Sequence, residues 1–195
     1  MKTIATILMS LALFLSVEGM AQSRWAFELR GAIAFPTQEL GNADLSTGFG
    51  FEPTFSYRFM PHLGAYAGWG WHRFTTDEMM AQGDTDVEET GYTFGLQFIH
   101  PIKGTSLSYF VRGGGIYNHI ELENDEGDIT ADSGHGLGWQ AEVGIVTSLN
   151  DYWSLMPGVR YRALAREIDV ENVSTDVNLN YLSVGVSFSR TLGSR

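Results

Sequence analysis

The stretch Gly48–Phe59, GFGFEPTFSYRF, alternates residue by residue. Phe49, Phe51, Pro53, Phe55, Tyr57 and Phe59 fall on one side, and Gly50, Glu52, Thr54, Ser56 and Arg58 on the other. A period of two belongs to an extended strand with two unlike faces. A soluble strand would turn the aromatic face to a core and the polar face to water. A membrane barrel would turn the aromatic face to lipid and close the polar face around its own interior. The alternation alone is compatible with both.

The same pattern recurs along the chain, giving eight segments in all: WAFELRGAIAF, the stretch above, LGAYAGWGW, GYTFGLQFI, LSYFVRGGGIYN, LGWQAEVGIVTSL, WSLMPGVRYRA and NYLSVGVSF. No other stretch after the N-terminal region carries a helical period. The connections alternate in length. Segments two and three meet at Met60-Pro61-His62, four and five across His100 to Ser106, and six and seven at Asn150-Asp151. The remaining connections are longer and hold most of the acids. Asp77, Glu78, Asp84, Asp86, Glu88 and Glu89 lie in one; Glu121, Glu123, Asp125, Glu126, Asp128 and Asp132 lie in another. Short turns at one end and long polar loops at the other are the asymmetry of outer-membrane barrels.

The volume of the two faces decides which is inside. An eight-stranded lumen is just wide enough to be filled by side chains of mixed size. It cannot take the aromatic face of every segment. The other face offers glycines, serines and charges that can pair: Glu28, Arg30, Glu52, Arg58, Arg112, Glu142, Arg160 and Arg162. That is five arginines against three glutamates, with His72 near one end. Two readings follow, a packed plug of ion pairs or a weakly anion-attracting channel, and the narrow lumen favours the plug. Within it Glu142 is expected opposite Arg160 across the turn at Asp151. Arg30 is expected opposite Thr54 and diagonal to Glu52, with Arg112 joining the cluster. Outside, aromatics gather at the strand ends in two belts, as amphipathic rings do at membrane interfaces. Trp25, Phe59, Phe98, Tyr109, Trp153 and Phe188 would lie by the short turns; Phe35, Trp71, Tyr92, Tyr117, Trp139 and Tyr161 would lie by the long loops. The expected fold is therefore all-β, an eight-stranded antiparallel up-and-down transmembrane β-barrel.

The N-terminus supplies the export route. Lys2 begins a short positive region, Ile4 to Val17 is apolar, and Gly19-Met20-Ala21 is a small-residue cleavage site. Residues 1–21 thus read as a signal peptide of the general secretory route and 22–195 as the barrel domain. With no cysteine in the chain, a lipid anchor through cysteine, disulfides and thiolate metal sites are excluded. A net charge of −11 argues against nucleic acid as a partner.

The signal peptide, the eight alternating segments, the glycine-rich YAGWGW and YFVRGGGIYNH stretches and the final NYLSVGVSF resemble small outer-membrane barrels of the OmpA/OmpX kind. The resemblance implies an integral protein of a Gram-negative outer membrane, with both termini in the periplasm. It implies contact with outer-membrane lipid and lipopolysaccharide, and with periplasmic chaperones and the barrel assembly machinery during biogenesis. It also implies a structural or surface-interaction role, with the acidic loops open to a surface protein partner. One departure is the tail. Such chains usually end on an aromatic residue that the assembly machinery reads, whereas Phe188 is followed by SRTLGSR.

No catalytic site is expected. A deacylase of this shape needs a His and a Ser two apart on one strand, and no segment carrying His72, His100, His119 or His135 has them. Asp84-Thr85-Asp86 resembles the paired aspartates of larger protease barrels but lacks a partnered His. The loop ENDEGDITAD lacks the EF-hand spacing, with Leu122 and Ser133 where acids would be required. It reads as a solvated anionic surface with no metal site, a loose site for Ca²⁺ or Mg²⁺ being the alternative. Met79-Met80 reads as loop packing or, less readily, a protein-binding tip. No cofactor is expected. The readings that compete with a structural barrel are a small porin-like channel for ions or solutes and a secreted, soluble ligand-binding barrel.

Overall fold

A computed structural model describes residues 24–38, 45–75, 86–123, 128–170 and 173–193. The segment 1–21 read as a signal peptide, Asp77, Glu78, the Met79-Met80 pair, Asp84-Thr85, Asp125 and Glu126 lie outside the described residues. Nine strands follow one another: β1 (Trp25–Pro36), β2 (Gly48–Arg58), β3 (Leu63–Thr75), β4 (Asp86–Pro101), β5 (Leu107–Glu123), β6 (Ile129–Asp132), β7 (Gly136–Ser148), β8 (Trp153–Val170) and β9 (Val173–Leu192). All pairings are antiparallel, β4 pairs β5, and β1 pairs β9. The ring therefore closes with eight strands, leaving no edge inside the membrane. The short β6 is an extra rung on β5, separated from β7 by Ser133-Gly134-His135, where Gly134 takes a left-handed φ of 62°.

The faces sort as volume demands. Along β2 Glu52, Thr54 and Ser56 are buried while Phe49, Phe51 and Phe55 are exposed. Along β9, Leu182, Val184, Val186 and Phe188 point out and Tyr181, Ser183 and Ser187 point in. Of the expected belts, Trp25, Phe59, Phe98, Tyr109 and Phe188 are exposed at the short-turn end, with Trp153 half-buried beside Phe188. Phe35, Tyr92, Tyr117 and Trp139 are exposed at the other end, with Trp71 and Tyr161 half-buried. An outward band of this size would be an aggregation liability in water and is at home in lipid. That outward band sets aside the soluble-barrel reading.

Three expectations about segment limits need correction. The long connections after the third, fifth and seventh segments are in part strand. β8 and β9 run 18 and 20 residues and pair as far as Val170 and Val173. A span needs only about 9–11 residues, so these hairpins extend beyond the membrane. Glu88, Glu121 and Glu123 stand on such extensions of β4 and β5. The eighth segment, read as ending at Phe188, runs on through SRTL as part of β9, with Leu192 opposite Trp25 and Arg190 stacked over the Trp153 ring at 5.4 Å. The register of the first hairpin also differs. Arg30 lies opposite Glu52 and Glu28 opposite Thr54. No tight turn joins β1 to β2, so nothing local sets the pairing; a shift of two keeps every side chain on its face and escapes pattern reading.

The interior has an apolar tier as well as a charged one. Ala34, Phe74, Val87, Ile116, Ile120, Leu164, Leu179 and Tyr181 form a buried cluster inside the loop end of the barrel. Toward the other end, Phe110 lies under Gly144 and Gly158, whose missing Cβ atoms make room for its ring. A Cβ on Gly144 would sit 2.5 Å from Phe110 and against the Pro157 carbonyl. Gly144→Ala is therefore expected to destabilise the barrel by about 1–3 kcal/mol in urea unfolding from detergent micelles. Gly31→Ala, with nothing within 4 Å of its Cβ, should be neutral. Equal stability of the two variants would mean that Phe110 does not fill that space.

Candidate functional site in the barrel interior

The central tier of the lumen is ionic, and it is assembled from strands far apart around the ring. Period-two geometry sends Glu28 and Arg30 inward from β1, Glu52 from β2, Arg112 from β5, Glu142 from β7, and Arg160 and Arg162 from β8; all are at most 3% exposed. Glu142 lies opposite Arg160 in the ladder and accepts from its Nη2 at 2.9 Å and its Nε at 3.2 Å. The other bonds cross the lumen. Arg30 Nη1 donates to Glu142 at 2.7 Å, so it reaches over to β7 and not to Glu52 beside it. Glu52 accepts from Arg160 at 2.8 Å and from Arg162. Arg112 joins through Glu28, donating at 2.6 and 2.8 Å, with Glu142 3.8 Å away. A guanidinium offers five donors, so one arginine can bind carboxylates on two strands at once.

The structure adds Glu89 to the inward set given by the alternation, and brings His72, Gln97 and Gln140 of that set into the same network. Glu89, assigned to an acidic loop, faces inward from β4 and is 2% exposed. Its carboxylate accepts from Arg162 at 3.0 Å, from Asn118 at 2.6 Å and from the Tyr181 hydroxyl. His72 Nδ1 accepts from Arg162 at 3.3 Å. Gln140 accepts from Arg162 Nε at 3.0 Å and donates to the Tyr66 hydroxyl at 3.0 Å; Gln97 accepts from Arg112 at 3.1 Å. Continuing the alternation back from Thr93 through Gly91 would have placed Glu89 inside. The long-range partners had no such signal.

Including Glu89 changes the charge balance. Arg58 is exposed at the short-turn end, so among the described residues the buried set is four arginines (Arg30, Arg112, Arg160, Arg162) and four glutamates (Glu28, Glu52, Glu89, Glu142). An excess of five to three would have attracted anions, whereas a balanced set cancels most of its own field. Buried charges stay ionised only where partners replace water, and each of these eight has one. Arg30 is the least well served: its Nε has no partner, and its Nη2 reaches only the Gly158 carbonyl at 3.4 Å. Below this tier a cavity of about 210 Å³ opens between strand ends, lined by Arg24, Glu28, Gln97, Ser148, Ser154 and Ser189 among others.

Among the described residues, those weighed for catalysis do not assemble a site. Asp86 pairs with Arg73 on β3 and accepts from Thr75 Oγ1 at 3.2 Å. Ser133 and His135 are two apart, but in the bend between β6 and β7. Ser133 Oγ accepts from the Ile120 N–H at 2.9 Å and donates to the Gly134 carbonyl. Outside the membrane the acids crowd: the Glu123 carboxyl is pushed above its usual range by partial burial and then by the Glu88 charge.

Comparison with known proteins agrees with this architecture. A model of the outer membrane protein beta-barrel domain family matches residues 7–189. Among solved structures, the Neisserial surface protein A (NspA) is similar at 14% identity and a TM-score of 0.61, over 86% of this chain and 97% of that one. The outer membrane protein W of E. coli is similar at 18% identity and a TM-score of 0.57, over 88% of this chain and 100% of that one. OprG from Pseudomonas aeruginosa gives 18% identity and a TM-score of 0.55, over 88% and 97%. Such identities speak for the fold alone. No curated protein sequence matches significantly.

Proposed function

This chain belongs to the outer membrane protein beta-barrel domain family, and on that premise we propose that it is a non-enzymatic barrel with a filled interior, acting in envelope structure or surface contact. The observation that carries this is the cross-lumen network. Arg30, Arg112, Arg160 and Arg162 each bond a glutamate across the ring, and the apolar cluster around Phe74 lies over them. An ion entering would have to displace these paired charges, which a narrow eight-stranded lumen leaves little room to bypass. The extended hairpins then form the functional surface, reaching beyond the lipid where a protein partner or lipopolysaccharide can meet them. Export through the general secretory route, with chaperones and the assembly machinery inserting the barrel, completes the reading.

The porin-like reading draws on the cavity at the short-turn end, whose mixed lining includes Arg24, Glu28, Gln97 and several serines. Planar-bilayer recording separates the two. Purified wild-type barrel is expected to give no reproducible single-channel steps in concentrated salt. Discrete steps of constant size from the wild type would establish the channel and remove the filled-lumen reading.

A further inference from the structure

Beyond the loop-side belt, the ladder of β4, β5 and β6 continues above the membrane, and its outward face gathers metal-ligating side chains. On β5, His119 and Glu121 follow Tyr117 on that face, alternating with the buried Asn118 and Ile120. Glu121 lies opposite Glu88 on β4 and opposite Asp132 on β6. Carboxylates on three neighbouring strands thus stand side by side, and like charges directly opposite one another destabilise a sheet. Arg73 answers this row at one end only, through Asp86 and Glu88.

At the other end the geometry is that of a coordination sphere. His119 Nδ1 lies 3.4 Å from Glu121 Oε1 and 3.3 Å from Asp132 Oδ1, and the three ligand atoms are all within 4.8 Å of one another. Ligands about 2.0–2.1 Å from a tetrahedral zinc ion are separated by about 3.3–3.4 Å. The surrounding chain holds two of these groups in place. The Gly134 N–H donates to Asp132 Oδ1 at 2.8 Å. Gly134 then turns the backbone through its left-handed φ, so that the His135 ring stacks on His119 with centroids 4.5 Å apart and planes 12° from parallel. His119 and Glu121 side chains are 16% and 19% exposed, and Asp132, at 48%, leaves the group open to solvent.

We propose that His119, Glu121 and Asp132 bind one divalent transition ion of the zinc class on the outward face of the loop end. One imidazole nitrogen with two carboxylates suits Zn²⁺, Ni²⁺ or Cu²⁺, whereas Ca²⁺ and Mg²⁺ prefer an all-oxygen shell of six or more ligands. The ion also answers the carboxylates that Arg73 does not reach. His135 acts as a positioning residue, holding the His119 ring plane.

The test is calorimetric titration of ZnCl₂ into the folded mature barrel in zwitterionic detergent, prepared without a polyhistidine tag. One saturable site per barrel is expected, persisting in excess CaCl₂. His119→Ala, Glu121→Ala and Asp132→Asn should each weaken it by at least about tenfold, the loss typical when even an outer partner of a metal ligand is removed. These residues lie outside the membrane, so folding of each variant can be checked by circular dichroism. His62→Ala/His100→Ala, which removes the histidine pair in ring contact at the opposite end of the barrel, should leave binding unchanged. The proposal is overturned by the absence of a saturable wild-type site, by unchanged affinity in the folded His119→Ala variant, by loss of binding in the His62/His100 variant, or by full displacement by calcium.

Discussion

Replacing Glu142 by alanine is expected to destabilise the barrel by about 3–5 kcal/mol, the usual consequence of removing one partner from a well-buried ionic group. Glu142 is 2% exposed and is the acceptor for Arg30 at 2.7 Å and Arg160 at 2.9 Å. Without it Arg160 keeps Glu52, but Arg30 keeps only the Gly158 carbonyl at 3.4 Å. The stranded charge is therefore that of Arg30. Arg160→Ala should be the milder change, because Glu142 retains Arg30 and Glu52 retains Arg162. The double variant should lose less than the sum of the singles, since contacting residues in one network are not additive. Urea unfolding in detergent or lipid measures all three. Strict additivity, or a Glu142→Ala loss below that of Arg160→Ala, would contradict the network as drawn.

The second large effect is expected on the opposite face. Val186 is 48% exposed, lies between Gly31 and Pro157 in the neighbouring strands, and sits midway along β9 between the two aromatic belts. On a water-facing surface Val186→Arg would change stability by no more than about 0.5 kcal/mol. In the middle of a bilayer the same substitution should destabilise by about 2–4 kcal/mol. Leu192→Arg, at the strand end opposite Trp25, should fall near zero because a long side chain there reaches water. Unfolding from phosphatidylcholine vesicles gives the comparison. A neutral Val186→Arg would mean that the hydrophobic band is not embedded as described.

Local chemistry accounts for much of this protein. Period two along each segment determined which side chains share a face, because successive Cβ atoms point oppositely whatever the partner strand is. Lumen volume determined which face is inside, so Glu28, Arg30, Glu52, Arg112, Glu142, Arg160 and Arg162 could be named together from the chain alone. The tight turn at Asn150-Asp151 determined one register, and with it Glu142 opposite Arg160. Where the connection is long, counting along the chain does not determine the pairing, and Arg30, expected opposite Thr54, stands opposite Glu52.

What only the tertiary structure decided is which charges meet across the lumen. Neighbours within one hairpin are related by a simple count, but β1 and β7, or β2 and β8, meet only through the curvature and shear of the closed ring. Those quantities depend on every register at once. Hence Arg30 bonds Glu142 in place of the adjacent Glu52, Glu89 leaves the acidic surface for the interior, and His119 comes within ligand distance of Asp132. A strand pattern carries the direction of a side chain; the length of its reach, and what lies at the end of it, belong to the closed barrel.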